Sequence, residues 1–109
     1  MELMSEGPPN PEDFVTLDDV FSGIDLVDRQ LIDLLSRRFA LVRAAAKLND
    51  GRFNLDDEER RRAVLSAIRR RAFEQGVPVG LVGDFWDRLF DASVAFERQA
   101  RERLRAGNE

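Results

Sequence analysis

Apolar residues follow a helical period through the first half of the chain. They recur at steps of three and four residues, the spacing that places side chains on one face of an α-helix. The members of this apolar stripe are Val20, Ile24, Val27, Leu31, Leu34, Leu35, Phe39 and Val42. Thr16 is a suitable N-cap, and Asp18 and Asp19 favour the positive end of the helix dipole. The pattern predicts a helix that begins near Thr16, ends before Gly51 and runs for about 34 residues, or roughly 50 Å.

Two further helices are predicted in the second half of the chain. Helix two spans Asp56 to Glu74, with acidic residues first and arginines later, an order that complements the helix dipole. Gly76 suits a C-cap and Pro78 suits the first turn of helix three, which runs to about Leu104. Its apolar set comprises Leu81, Phe85, Leu89, Phe90, Val94 and Phe96. No stretch alternates in the manner of a strand, so the chain is predicted to be all-α.

The length of helix one has a consequence for assembly. A compact domain of about 100 residues has a radius of gyration near 13 Å, so this helix projects beyond it and exposes apolar side chains. We therefore expect an entwined homodimer, in which the long helices pack against each other. Residues 1–14 hold three of the four prolines and are expected to form a disordered leader ahead of a helical domain at 15–106.

Composition narrows the chemistry that the chain can perform. The 109 residues carry a net charge of −4 and include no cysteine and no histidine. The acidic balance argues against a nucleic-acid or membrane-surface binder. Disulfides, thiolate metal sites and catalysis by cysteine or histidine are excluded. With no apolar run of membrane-spanning length and no recognisable signal peptide, a cytoplasmic protein is expected. Any catalysis must use arginines, carboxylates, hydroxyls and amides.

A motif in helix one points to a family. The residues that carry it are Ile24, Asp25, Asp28, Leu31, Leu34, Leu35 and Arg38. Their order resembles the start of the AroQ-type, all-helical chorismate mutases, whose pattern is I-D-x-x-D-x-x-L-hydrophobic-x-L-L-x-x-R. The spacings Asp57-x-x-Arg60 and Ser93-x-x-x-Glu97 fit the same family. The resemblance covers about residues 16–105, and the family includes the isochorismate-pyruvate lyases. Its known fold is an entwined dimer of three-helix chains.

The resemblance implies a reaction that this composition permits. Chorismate is a small dicarboxylate, and its rearrangement to prephenate in aromatic biosynthesis is a pericyclic shift that needs no proton transfer and no nucleophile. The protein holds a near-reactive conformer and stabilises charge on the breaking ether oxygen. The resemblance implies no metal and no organic cofactor. The partners it suggests are the dicarboxylate substrate and a second subunit, and a further candidate is another enzyme of the same pathway.

Four residues align with substrate contacts of the family. Arg38 aligns with an arginine that binds a substrate carboxylate, and it lies in the apolar stripe, where a charge needs a partner. Arg60 aligns with a second substrate-contacting arginine, Ser93 with a serine near the substrate carboxylate, and Asp57 with a polar site residue. The alternative interpretations are a surface arginine at position 38, a solvated arginine at 60, a small packing residue at 93 and a first-turn charge at 57.

Three positions depart from the family pattern. Asn49 stands eleven residues after Arg38, close to three helical turns on and therefore on the same face, where the family carries a lysine that contacts the ether oxygen. Lys47 is nearby, but two residues correspond to about 200° around the helix. Phe21 stands where the family sends an arginine into the partner's site. Arg61 replaces an acid that binds the ring hydroxyl.

Glu97 aligns with the family's second contact to the ether oxygen, which is often Gln. A glutamate must be protonated to donate a hydrogen bond there. Burial favours the neutral acid, whereas a neighbouring arginine favours the carboxylate. The alternative is an exposed glutamate that pairs with Arg101, four residues further along the helix.

The sequence thus favours a chorismate mutase-type isomerase, with Arg38 and Arg60 binding carboxylates and with Asn49 and Glu97 facing the ether oxygen. One alternative is an isochorismate-pyruvate lyase or a mutase for a modified chorismate. In that case the altered residues at positions 21, 49, 61 and 97 change the substrate specificity. Another is a non-catalytic binding or regulatory protein, which the loss of two site cations favours.

Overall fold

The three predicted helices are present. The structure, a computed structural model, describes residue 10 and residues 16–49 and 54–107. These residues form helices α1 (Leu17–Leu48), α2 (Glu58–Gln75) and α3 (Val79–Gly107), with no strand among them. The all-α prediction is confirmed. Apart from Asn10, the predicted leader at 1–14 lies outside the described residues.

Local capping explains where α1 begins. The Thr16 hydroxyl accepts a hydrogen bond from the Asp19 backbone N–H at 3.1 Å, and the Asp19 carboxylate accepts one from the Thr16 N–H at 3.2 Å. This reciprocal pair satisfies two amides that the first turn leaves without helical partners. The helix then runs for 32 residues, close to the predicted length.

Capping also sets both ends of α2. The Asp57 carboxylate accepts hydrogen bonds from the backbone N–H groups of Glu59 and Arg60, so the helix begins at Glu58 rather than at Asp56. At the other end Gly76 has a φ of 72°, the left-handed conformation that glycine adopts without a Cβ clash. Helix α3 starts soon afterwards at Val79, directly after Pro78, and extends three residues beyond the predicted end, to Gly107.

The chain divides into two compact units, Met1–Arg38 and Phe39–Glu109, and α1 crosses the boundary. In the described part of the first unit, large apolar side chains of α1 are between 36% and 66% exposed. They are Leu17, Val20, Phe21, Ile24, Val27, Leu31, Ile32 and Leu34. Most of the stripe's N-terminal half therefore stays in solvent in the single chain, as the length of the helix led us to expect.

The core lies in the second unit and receives side chains from all three helices. Its buried apolar residues are Val42, Ala46, Leu65, Ala72, Leu89, Phe90 and Val94. The rings of Phe39 on α1 and Phe96 on α3 meet edge to face, with centroids 5.0 Å apart. Of the apolar set predicted for α3, Leu81 and Phe85 remain exposed. Helices α2 and α3 run antiparallel, because Arg61 near the start of α2 pairs with Asp91, whereas Arg69, about two turns later, approaches Gly83. This packing positions the polar residues of the candidate site.

Candidate active site

In the second unit, Glu97 contacts two polar side chains, those of Asn49 and Arg101. It lies on α3, is only 2% exposed, and accepts a hydrogen bond at Oε2 from the side-chain amide of Asn49, at 3.1 Å. Asn49 directly follows the last residue of α1, so the contact joins the end of α1 to α3. A buried carboxylate is costly unless charged or hydrogen-bonding groups compensate it. The structure therefore brings together two of the predicted site residues.

Arg101 supplies the charge compensation. Its Nε lies 2.8 Å from the same Oε2 of Glu97, one helical turn further along α3. The distance is that of an ion pair, although the N–H is not aligned as a directed hydrogen bond. The sequence suggested either a site glutamate or an exposed glutamate that pairs with Arg101. In the structure Glu97 pairs with Arg101, as the second interpretation expects, but it is buried and not exposed.

Ser93 lies one turn before Glu97 on α3, and it is buried as well. Its hydroxyl donates a hydrogen bond to the backbone carbonyl of Leu89 at 2.7 Å. Residues four apart lie on the same face of a helix, so Ser93 and Glu97 share one face of α3. The hydroxyl and the carboxylate thus form a short polar strip on the face of α3 that also carries the buried Leu89 and the ion-paired Arg101.

The start of α2 lies beside α3. Asp56 pairs with Arg98 at 3.6 Å, which places the first residues of α2 alongside the turn that carries Glu97. The Asp57 carboxylate caps the N-terminus of α2. This local role is close to the alternative interpretation of Asp57, a charge at the start of the helix. Arg60 is exposed, and its guanidinium ion-pairs with no carboxylate in the described ranges 16–49 and 54–107.

Arg61 is directed away from solvent and onto α3. Its guanidinium lies 2.8 Å from an Asp91 carboxylate oxygen, donates to the Asp87 backbone carbonyl at 2.9 Å, and sits 4.8 Å from the centre of the Phe90 ring. The hydrogen bond to Asp91 is the main cause that raises the pKa of Arg61, and Asp87 contributes in the same direction. These contacts fasten α2 to α3.

Arg38 and Phe21 belong to the first unit. Arg38 is half-buried, in keeping with its position on the apolar stripe, and Phe21 is 56% exposed. The phenylalanine at the position of the family's inter-subunit arginine is thus part of the exposed apolar surface of α1.

A cavity of about 510 Å³ lies between α1 and α3 in the second unit. It is lined by Arg43, Lys47, Phe96, Gln99, Arg103 and Leu104, among others, and neither Asn49 nor Glu97 borders it. No pattern in the sequence predicted this groove.

The described residues show no metal centre and no membrane span. No group of three or more Asp and Glu residues within 16–49 and 54–107 could hold a metal ion. None of the helices built from these residues is both long and apolar enough to cross a bilayer.

Most of the chain matches a family of known proteins. The family model for chorismate mutase type II matches residues 20–98, which include Asn49, Ser93 and Glu97. The chain belongs to this family. No curated protein matches the sequence. The type II chorismate mutases are the AroQ family to which the motif in α1 was assigned, and membership places this protein among chorismate mutase-type proteins that act on a small molecule.

Proposed function

We propose that this chorismate mutase-type protein converts chorismate to prephenate. The observation that carries the proposal is the part-buried contact between Glu97 and Asn49, because these residues occupy the two positions at which the family contacts the ether oxygen. A buried carboxylate such as that of Glu97 is costly to maintain for packing alone. A polar ligand that hydrogen-bonds to these side chains would account for the free-energy cost of burying them.

In this proposal, arginines bind the negatively charged carboxylates of the ligand. Arg38 binds one carboxylate of the substrate through its planar, bidentate guanidinium. Arg60 is exposed at the start of α2 and closes on the second carboxylate. Ser93 lies on the same face of α3 as Glu97 and adds a hydroxyl to the ligand's surroundings. The rearrangement then proceeds by orientation and by stabilisation of the charge that develops on the ether oxygen.

A chorismate consumption assay with product identification tests the reaction, and Arg38 provides the sharpest variants. Arg38→Ala is expected to weaken chorismate binding by about 2–5 kcal/mol, the usual cost of losing one partner of a desolvated charge pair. Arg38→Lys is expected to fail as well, because the bidentate geometry is lost. Arg37→Ala removes the exposed neighbouring arginine and is the matched control. Unchanged affinity in both Arg38 variants would refute the assignment.

Asn49→Lys tests whether the site is catalytic. It returns a positive charge to the position where the family carries lysine, and it is expected to raise the turnover number, since that charge stabilises the transition-state oxygen. A parent protein without mutase activity that Asn49→Lys does not rescue would instead favour a non-catalytic binding or regulatory role.

The proposal includes a homodimer in which a second copy covers the exposed stripe of α1. Eight large apolar side chains at 36–66% exposure form a surface that soluble proteins rarely leave open. Mass measurement in dilute solution tests this. A dimer is expected, and a folded, stable monomer of 12.5 kDa would contradict it.

A modified chorismate or isochorismate is the second candidate substrate, and Arg61 is the observation that favours it. At the position where the family carries an acid for the ring hydroxyl, this chain has an arginine whose guanidinium engages Asp87 and Asp91. The hydroxyl end of the ring thus loses its usual acceptor. Parallel assays with chorismate, isochorismate and 4-amino-4-deoxychorismate, with products identified, distinguish mutase from lyase and rank the substrates.

A further inference from the structure

We propose that Arg101 is a positioning residue of the site: it holds Glu97 as a carboxylate, and the carboxylate in turn orients the Asn49 amide as the hydrogen-bond donor toward the ligand. This inference rests on the proposed function, because it assigns the donor at the ether-oxygen end of that site. It assigns Glu97 the role of an acceptor, whereas a protonated Glu97 would itself be the donor.

The argument begins with the single oxygen Oε2 of Glu97. It receives the Asn49 N–H at 3.1 Å and lies 2.8 Å from Arg101 Nε. An ionised carboxylate accepts and cannot donate. Asn49 offers its N–H group to this oxygen, and an arginine remains protonated at every physiological pH. The contacts on Oε2 of Glu97 are therefore those of a hydrogen-bond acceptor.

The charge balance of the site gives the pair a further role. A bare carboxylate at 2% exposure would repel a dianionic ligand, but the adjacent guanidinium makes the pair neutral overall. Arg98, the next residue along α3, is paired with Asp56 just ahead of α2. From α1 the group that faces Glu97 is the neutral Asn49 amide. Arg101 is thus the cation that compensates Glu97.

The sequence predicted only part of the contact between Glu97 and Arg101. The i,i+4 spacing of Glu97 and Arg101 predicted the pair, but it predicted an exposed one. In the structure the Glu97 side chain is buried and the Arg101 side chain is 30% exposed, so the ion pair restricts a carboxylate that is already enclosed. A carboxylate held in this way keeps its amide partner in one orientation. Preorganised donors of this kind are what stabilise developing oxyanion charge.

Four variants test the inference: Arg101→Gln, Arg101→Lys, Glu97→Gln, and Arg105→Gln as the matched control on the exposed end of α3. The side-chain amide NMR resonances of Asn49 report how Glu97 holds that amide, and they are identified by their loss in Asn49→Ala. They are expected to stay at the parent positions in Arg101→Lys and in Arg105→Gln, and to shift in Arg101→Gln. Unshifted Asn49 resonances in Arg101→Gln would overturn the proposal.

Kinetics separate positioning from simple structural support. Arg101→Gln is expected to raise KM for chorismate roughly tenfold, because the uncompensated carboxylate repels the dianion, and to lower kcat as the amide loses its orientation. Arg101→Lys is expected to restore both parameters largely. In the Glu97→Gln background, Arg101→Gln is expected to have little further effect. Unchanged KM and kcat in folded Arg101→Gln would overturn the positioning role.

The outcomes also distinguish this inference from the proposed function. If the parent does not convert chorismate, the proposed function fails, but the NMR measurements still test the positioning role of Arg101. In that case a shifted Asn49 side-chain amide resonance in Arg101→Gln supports the positioning role. An Asn49 resonance that is the same in Arg101→Gln and in Arg105→Gln overturns it.

Discussion

Replacing Arg61 by methionine removes the polar contacts between α2 and α3 while keeping much of the side chain's apolar length. The guanidinium pairs with Asp91 at 2.8 Å and Asp87 at 3.3 Å, but those carboxylates are 69% and 47% exposed, so each pair contributes at most about 1 kcal/mol. The charged hydrogen bond to the Asp87 carbonyl adds about 1.5 kcal/mol, and the contact with the Phe90 ring adds about 0.5 kcal/mol. We expect a total loss of about 3 kcal/mol, allowing for partial overlap between these terms.

Urea denaturation measures this loss, with Arg62→Met as the matched control. Arg62 is the exposed neighbour on α2, and its replacement is expected to change the free energy of unfolding by less than about 0.5 kcal/mol. If Arg61 only fastens the helices, kcat/KM for chorismate stays at the parent value in Arg61→Met well below its unfolding transition. Two results would refute the reasoning: a stability loss no larger than that of Arg62→Met, or a fall in kcat/KM with stability preserved.

The pH dependence follows from the raised pKa of Arg61. A cation whose pKa is higher in the folded protein contributes stability that is fully present below its unfolded pKa and is lost as pH rises through the folded value. For an arginine, both values lie far above neutrality. The titration of Arg61 itself should therefore cause no change in the difference between parent and Arg61→Met between pH 6 and pH 8.

Substitutions at four further positions test the fold and the site. Gly76→Ala is expected to cost about 1 kcal/mol in thermal unfolding because φ is 72° there, whereas Gly80→Ala, in the first turn of α3 with open space around it, is expected to stabilise by up to about 1 kcal/mol. Asp57→Ala removes the N-cap of α2 and is expected to cost about 1 kcal/mol, while Asp57→Ser should keep most of the stability; equal losses would contradict the capping role. Asn49→Asp places a second carboxylate against Glu97, so the free energy of unfolding at pH 7 is expected to fall; an unchanged free energy of unfolding would contradict the contact.

The sequence was sufficient for the helices because their signals are local. The stripe on α1, the Thr16 cap and the glycine at position 76 each act within a few residues, and each prediction is confirmed to within two or three residues. The predicted start of α2 was two residues early because acidic residues at 56 and 57 look alike in a pattern, whereas only Asp57 bonds the free amides of the first turn.

The site was less predictable because its contacts are long-range. Glu97 meets an amide 48 residues away, and Arg61 meets carboxylates 26 and 30 residues away. No local pattern reports such pairings, since they depend on which faces of the helices meet. The family motif supplied the positions, but only packing determines that Glu97 is buried and that Arg61 engages α3.

The exposed stripe on α1 has a consequence for how the protein is maintained in a cell. Under the proposed dimer, association adds a stabilising free energy that grows with the logarithm of chain concentration. Halving the rate of synthesis would then reduce the folded population by more than half at low abundance, because unassembled chains are the ones open to proteases and chaperones. Gene dosage would set the resistance of this protein to degradation as well as its amount.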